Sequence, residues 1–453
     1  MHYAKDTPQQ YEQKKVRIVA EFKEALARGA TVGLAKKTSN LFRSRKQAKQ
    51  LIYVADFNRV ISIDEQNMLA EVEGTTTFDD LTKETLKHGF LPAVVPELKS
   101  ITIGGAMAGV AIESSSFRYG LVHETVTAME VLTGSGEVIS CSTTNEHADL
   151  FLGFPNTYGT LGYALKLTVK LVRVKKYVEL RHEKFTDAKE YFNAVKKACE
   201  RKDLDFVDGT VFDEHTLYLT TARFVDAAPF VSKYTYMQIY YKSIAEKQVD
   251  YLTAYDYIWR WDTDWFWCSR TFGVQKTLLR IIARPWLHST AYWKIMRWNR
   301  KYKFAERFSR LKGINCQDES IIQDVQIPVE RSHEFLAFFH DRIGIKPVWI
   351  CPTKPASPDR FPTYKLNFGQ LYINFGFWDV VPLPADEKEG FFNRQVEQWV
   401  DKLNGRKGLY STVFYEENTF WQHYNGQNYQ RLKEKYDPQG KLKDLYDKTV
   451  RSP

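Results

Sequence analysis

PELKSITIGGAMAGVAIESSSFRYGLVHETVTAMEVLTGSG, residues Pro96 to Gly136, is the stretch around which the chain is organised. Gly104–Gly105 reads as a turn, followed by small residues to Gly109. The polar loop Glu113-Ser114-Ser115-Ser116 ends at Tyr119-Gly120. An apolar run from Val126 to Leu132 then meets the turn signal Gly134-Ser135-Gly136 and a second β-like run at Val138-Ile139. Small residues let a ligand approach the backbone closely, and a cluster of backbone N–H groups and hydroxyls suits a phosphate or a heteroaromatic edge. The same spacing also serves an ordinary tight turn in an α/β core.

Working outward, the helical pattern Val16–Arg28 places Val19, Phe22 and Leu26 on one face and stops at Gly29. LIYVADFNRVISID and NMLAEVEGTTTF alternate as consecutive strands, and Thr77–Leu81 opens a short helix with Asp79 and Asp80 at its positive end. Downstream, a helix is expected around Asp149–Leu152 and a second Gly-rich turn at Tyr158–Gly162. In the strand Ala164–Val174, Leu165, Leu167, Val169 and Leu171 share one face. Composition shifts near Tyr177. Beyond it, strands and helices alternate as in a second α+β unit, interrupted by the aromatic stretch YDYIWRWDTDWFWCSRTFG and by RIIARPWLHSTAYWKIMRWNRKYKF. Trp259–Trp267 suits either a wall for a flat apolar substrate or core packing. The basic, apolar segment after it suits either a helix on a membrane or one packed on the domain surface.

At 453 residues the chain is long enough for two domains, and 43% hydrophobic content supports a globular protein. A net charge of +9 favours anionic partners, whether a dinucleotide, a membrane surface or nucleic acid, or is simply a basic solvated surface. The five cysteines lie far apart and form no CxxC pair, which fits a reducing compartment and predicts no metal site. With no apolar leader and no run long enough to span a bilayer, the expectation is cytoplasmic, with peripheral contact at the inner face of a membrane left open. HExxH, GxSxG, GxxxxGK[ST] and a Rossmann GxGxxG at a strand-to-helix turn are all missing.

PELKSITIGG through IESSSFRYGL, paired with TYGTLGY, resembles the vanillyl-alcohol-oxidase-type (PCMH-type) FAD-binding flavoproteins, and within them the seladin/diminuto delta-24 sterol reductases. KKTSN, SIDEQNMLAEVEGTTTFDDL, VRVKKYVELRHE, IIQDVQIPVERSHEFLAFF, IKPVWICP, GLYSTVFYEENTFW and YDPQGKLKDLYDKTV extend the resemblance over nearly the whole chain. It implies an α+β fold: a two-subdomain FAD-binding domain (1–178), an α+β substrate cap domain (179–430) and a C-terminal segment (431–453) returning near the flavin. Lys37, Thr38, Ser39 and Asn40 would form the pyrophosphate-side loop. Thr102, Gly104, Gly105, Gly109, Glu113, Ser114, Ser115, Ser116 and Tyr119 would line the flavin, with Glu113 alternatively a buried structural carboxylate. Gly159, Thr160, Leu161 and Gly162 would close over the adenosine or diphosphate side. No histidine lies between Thr31 and Arg45, where many members attach FAD, so non-covalent FAD is expected; His123 reads as a polar residue at a strand entrance.

The resemblance further implies NADPH as electron donor and hydride addition to a carbon–carbon double bond of a sterol-like or isoprenoid substrate, with an acid supplying a proton. That acid needs a dry pocket. Tyr415, Glu416 and Tyr410 are the leading candidates, beside Glu330, Glu417 and Tyr436. An FAD-dependent dehydrogenase or oxidase of a sugar or alcohol is the alternative, and a basic protein binding membrane or nucleic acid a third; no nucleic-acid module accompanies the basic segments.

Overall fold

The structure is a computed structural model and describes residues 7–36, 48–292, 294, 318–358 and 361–451. Lys37, Thr38, Ser39 and Asn40 therefore lie outside the described residues. The first helix, Pro8–Ala27, begins earlier than its apolar stripe suggests. Thr7 and Gln10 form a capping box and Pro8 takes the first helical position, so the start is written in polar residues. The stripe Tyr11, Ile18, Phe22 and Ala25 is buried against a small parallel pair, β1 (Val32–Ala35) and β2 (Gln50–Tyr53).

The next sheet contains β3 (Val60–Asp64), β4 (Leu69–Glu73), β5 (Phe90–Pro92), β6 (Val126–Thr133), β7 (Val138–Ser142) and β8 (Gly162–Arg173). Its order is β3-β4-β8-β6-β7, with β5 paired to the end of β8. Two-residue alternation sets which way β8 faces: Leu165, Leu167, Val169 and Leu171 are buried. Gly104–Gly105 is not a turn. It lies in the helix Ile103–Gly109, capped by Thr102, because Ile103 and Gly104 donate their N–H groups to the Thr76 and Gly74 carbonyls (both 3.0 Å). A Cβ at Gly104 would sit 2.6 Å from the Gly74 carbonyl oxygen, so only glycine lets helix and strand end approach this closely.

The second sheet has eight antiparallel strands: β9 (Tyr177–Phe185), β10 (Phe206–Asp213), β11 (Thr216–Val225), β12 (Val249–Thr253), β13 (Asp318–Pro328), β14 (Val348–Thr353), β15 (Tyr372–Pro382) and β16 (Arg406–Lys407). They run in the order β12-β9-β11-β10-β14-β15-β13-β16. One face, with Val325, Ile350, Phe375 and Phe377, packs under the helices Ala188–Glu200, Ser332–Arg342 and Phe391–Lys402. The other face carries Asp208, Trp349, Cys351, Asn374 and Trp378 and turns toward the N-terminal sheet. After β16 the chain returns to that sheet: Lys433 Nζ bonds the Thr160 carbonyl (2.8 Å) and Lys448 Nζ the Tyr158 carbonyl (2.6 Å).

Candidate flavin and substrate site

Strand register lines up the inner face of the second sheet. Asp324 pairs with Gly376, Gly376 with Trp349 and Trp349 with Thr210, forming one row across four strands. Gln326, Asn374 and Cys351 form the next row. Gly376 is required in the first row: a Cβ there would meet Trp378, Trp349 and the Asp324 carboxylate within about 3.1 Å. Asn374 Nδ2 donates to Asp324 Oδ1 at 2.6 Å, and the Tyr410 hydroxyl bonds the same carboxylate. Burial raises Asp324 to about pH 6, against which the bonds from Asn374 and Tyr410 pull it down. Burial and the Asp324 charge push the Tyr410 phenol well above its ordinary value. Both residues are deep in the molecule yet keep accessible surface, as groups on the wall of an internal opening do.

Tyr158, close enough to Tyr410 to influence its charge, is bonded to the segment Ile101–Ile112. Ala108, Gly109, Val110, Ala111 and Ile112 are consecutive half-exposed small or apolar residues. Val110 has φ 58°, and across from it Asn156 and Tyr158 have φ 64° and 52°. Left-handed backbone at a β-branched or bulky residue is strained, and such strain persists where surroundings clamp it, often at ligand sites. The two segments are stitched together: Tyr158 N–H donates to the Ala108 carbonyl (3.0 Å) and its hydroxyl to the Gly109 carbonyl (2.7 Å). At Gly105 an added Cβ would meet only Thr102 Oγ1, so this position opens onto space.

The hydroxyls of the serine loop are engaged within the protein. Ser114 Oγ donates to Glu113 and contacts Tyr257 Oη (3.1 Å), Ser115 Oγ donates to the Ala93 carbonyl (2.8 Å), and Ser116 Oγ accepts from Glu113 N–H (3.0 Å). Val207 on β10 and Lys354 just after β14 donate N–H groups to the Ser114 and Ser116 carbonyls (2.9 and 3.1 Å). The loop joins the two sheets. Glu113 is a buried carboxylate bound to Arg260 Nη1 (3.2 Å), whose Nη2 reaches Asp208 (2.6 Å). Burial works against charge on Arg260, but Tyr257, Asp208 and Glu113 outweigh it and hold the guanidinium protonated. Glu97 sits nearby, its pKa raised well above the carboxylate range by burial and then by Glu113.

Other expected residues are also used in packing. Gly162 admits β8 beside β6, since a Cβ there would lie 2.7 Å from the Leu132 carbonyl oxygen. Thr160 Oγ1 donates to the Thr157 carbonyl (2.8 Å), Leu161 is buried, and Gly159 (φ 79°) turns the chain under the Tyr163 ring. Tyr119 packs half-buried against the main core. His123 is buried edge-on to Phe361 (4.5 Å), and burial lowers its pKa to about 3. Of the proton-donor candidates, only Tyr410 faces the inner sheet. Tyr415 Oη reaches Asp401 (3.2 Å). Glu416 is solvent-exposed, so the dry surroundings an alkene-protonating acid needs are absent there. Glu417 pairs with Arg451, Glu330 with Lys196 and Tyr436 with Asp149. Asp324 went unread in the sequence; its only trace is a carboxylate inside the apolar alternation of IIQDVQIP.

FAD suits what remains. Thr210 Oγ1, Thr353 Oγ1, Gln326 Oε1 and Trp349 Nε1 on the inner face are buried without a hydrogen-bond partner among the described residues, as is Glu97 Oε1. Buried polar groups require partners. A planar ring with N–H donors and carbonyl acceptors along its edge would offer both kinds.

Comparison with known proteins decides the class. Residues 13–142 match the family model described as FAD binding domain. This chain is an FAD-dependent oxidoreductase. It is similar to the Delta(24)-sterol reductases of Homo sapiens (26% identity) and Arabidopsis thaliana (24%), in each case over 87% of this chain and 76% of the relative. It also resembles cytokinin dehydrogenase 3 of Arabidopsis thaliana, 24% identical over 35% of this chain and 30% of that one. The matched domain of the oxidoreductase thus covers the first helix and both small sheets up to β7, and the sterol-reductase likeness continues through the second sheet. Among the described residues no helix is long and apolar enough to cross a membrane.

Proposed function

We propose that this oxidoreductase is an NADPH-dependent reductase of a carbon–carbon double bond in a sterol-like or isoprenoid substrate. The observation that carries the reading is the Asp324–Tyr410 pair, a deep acid held by neutral donors beside Trp378. FAD, bound without a covalent link, supplies the hydride chemistry. The segment Gly105–Ile112 would hold and orient it, and the resemblance assigns Lys37, Thr38, Ser39 and Asn40 to its pyrophosphate. Trp378, tilted against Phe266 at 4.5 Å between ring centroids and packed beside Trp267, gives the apolar substrate an aromatic wall next to Tyr410. One hydride and one proton add across the double bond. The proton passes from the Asp324–Tyr410 pair to the alkene carbon, Asn374 Nδ2 holds the carboxylate left behind, and solvent returns the proton. The likeness to the Delta(24)-sterol reductases over most of the chain supports this reading.

A second reading, a dehydrogenase of an alcohol or amine, rests on the cytokinin dehydrogenase likeness, which is confined to about a third of the chain. Anaerobic titration separates the two. NADPH should bleach the flavin and an isoprenoid alkene restore its colour. Bleaching by an alcohol or amine but by neither NADPH nor NADH would overturn the reductase reading.

A further inference from the structure

The helix Thr277–Ala283, continued by the turn Arg284–Trp286, is inside out. A helix on a water-soluble surface buries its apolar stripe and exposes its charges. Here Arg280 is the helix's buried residue, fixed by both guanidinium nitrogens to Asp264 (2.7 and 2.9 Å) and through Nε to the Tyr236 carbonyl. The aliphatic residues face outward: Leu278 is 70% exposed, Ile282 61% and Trp286 58%, with Leu279 and Ile281 exposed between them. Arg284 stacks on Tyr236 (4.6 Å to the ring centroid), which brings the exposed Met237 alongside. A contiguous apolar surface of this kind marks a contact site.

Charge selects what it contacts. Lys276, Arg284 and Lys294 are exposed around the patch. From Trp265 to Lys294 the described residues include Arg270, Lys276, Arg280, Arg284 and Lys294 and no Asp or Glu. A second copy would bring like charges face to face, whereas an anionic lipid surface supplies both apolar depth and negative headgroups. We propose that this face docks on an anionic bilayer, with the helix lying in the interface plane. Leu278, Ile281, Ile282 and Trp286 enter the acyl boundary and the basic residues sit at headgroup level. Arg280–Asp264 is the anchor that holds the apolar side outward. The inference is independent of the flavin chemistry.

The test is co-sedimentation of the purified FAD-loaded full chain with vesicles of phosphatidylcholine alone or mixed with phosphatidylserine. Binding to the mixed vesicles should exceed that to neutral ones by about tenfold and weaken with salt. Ile282→Ser with Trp286→Ser should lower vesicle binding roughly 100-fold while flavin absorbance and circular dichroism stay unchanged, because both side chains already face solvent. Lys276→Glu should erase part of the preference for the anionic vesicles. Failure of the wild type to bind either vesicle, or equal binding by the double variant, overturns the proposal. So does a wild-type dimer in sedimentation velocity that the double variant converts to monomer, which would assign the face to a second copy.

Discussion

Two carboxylate clusters share the inner face of the second sheet, and only one is closed. Around Arg260, the guanidinium is clamped between Glu113 and Asp208, and Ser114 joins from the loop that ties the two sheets together. Each of those ionic groups is almost fully buried. At the other end of the face, Asp324 has no basic partner among its bonds; it is held by Asn374 and Tyr410 and keeps contact with open space. A buried charge answered by charge is a joint. A buried acid held only by neutral donors remains able to exchange its proton. Burial alone therefore does not mark the reactive group on this surface; the nature of its partners does.

The largest effect that could break this contrast is at the joint. Arg260→Met leaves Glu113 and Asp208 buried without a cation, and should lower stability by about 3–5 kcal/mol. Urea denaturation would measure it, and an unchanged midpoint would remove the claim that this cluster fastens the two sheets together. Asp324→Asn should act in the opposite direction. The folded-state pKa of Asp324, about 6, lies above the ordinary value of 3.8, so its protonated form is favoured by folding. Its contribution is complete below about pH 4 and is lost as pH rises through 6. At pH 8 the variant should be more stable than the wild type by at most about 3 kcal/mol, and at pH 4 the gain should vanish. A gain of the same size at both pH values would show that ionisation is not its source.

How visible these clusters were in the sequence differs for the same reason. Strands such as β8 were legible because one side of the residue alternation is apolar and buried. The helix Phe78–Leu86 was legible from Thr77 and the acidic residues after it. The helix over Gly104–Gly105 was not, because paired glycines normally signal a turn, and their reason is the distant Gly74 backbone. Both faces of the second sheet are covered, so its alternation is blurred, and Asp324 stands out only once register sets it beside Asn374. Arg260 was hidden inside the aromatic run Trp259–Trp267. Its partners lie 147 and 52 residues away, a separation no local pattern records.

Tyr410 sharpens the comparison in kinetics rather than in stability. Its hydroxyl is bonded to Asp324, on the same wall as Trp378, whereas the Tyr415 hydroxyl reaches Asp401 on the helix Phe391–Lys402. Tyr410→Phe removes one hydroxyl and preserves the ring, so the fold and the flavin content should be unchanged. Reoxidation of the reduced enzyme by an alkene should slow by roughly 10²-fold, the usual worth of a positioned acid, equivalent to about 2.7 kcal/mol of barrier. Reduction by NADPH transfers hydride without that proton and should keep its rate. Tyr415→Phe, with the same chemical change at a site turned away from the wall, should leave both half-reactions intact. Equal slowing in the two variants would mean that loss of any buried tyrosine hydroxyl disturbs the site, and the special standing of the Asp324 end of the sheet would fall with it.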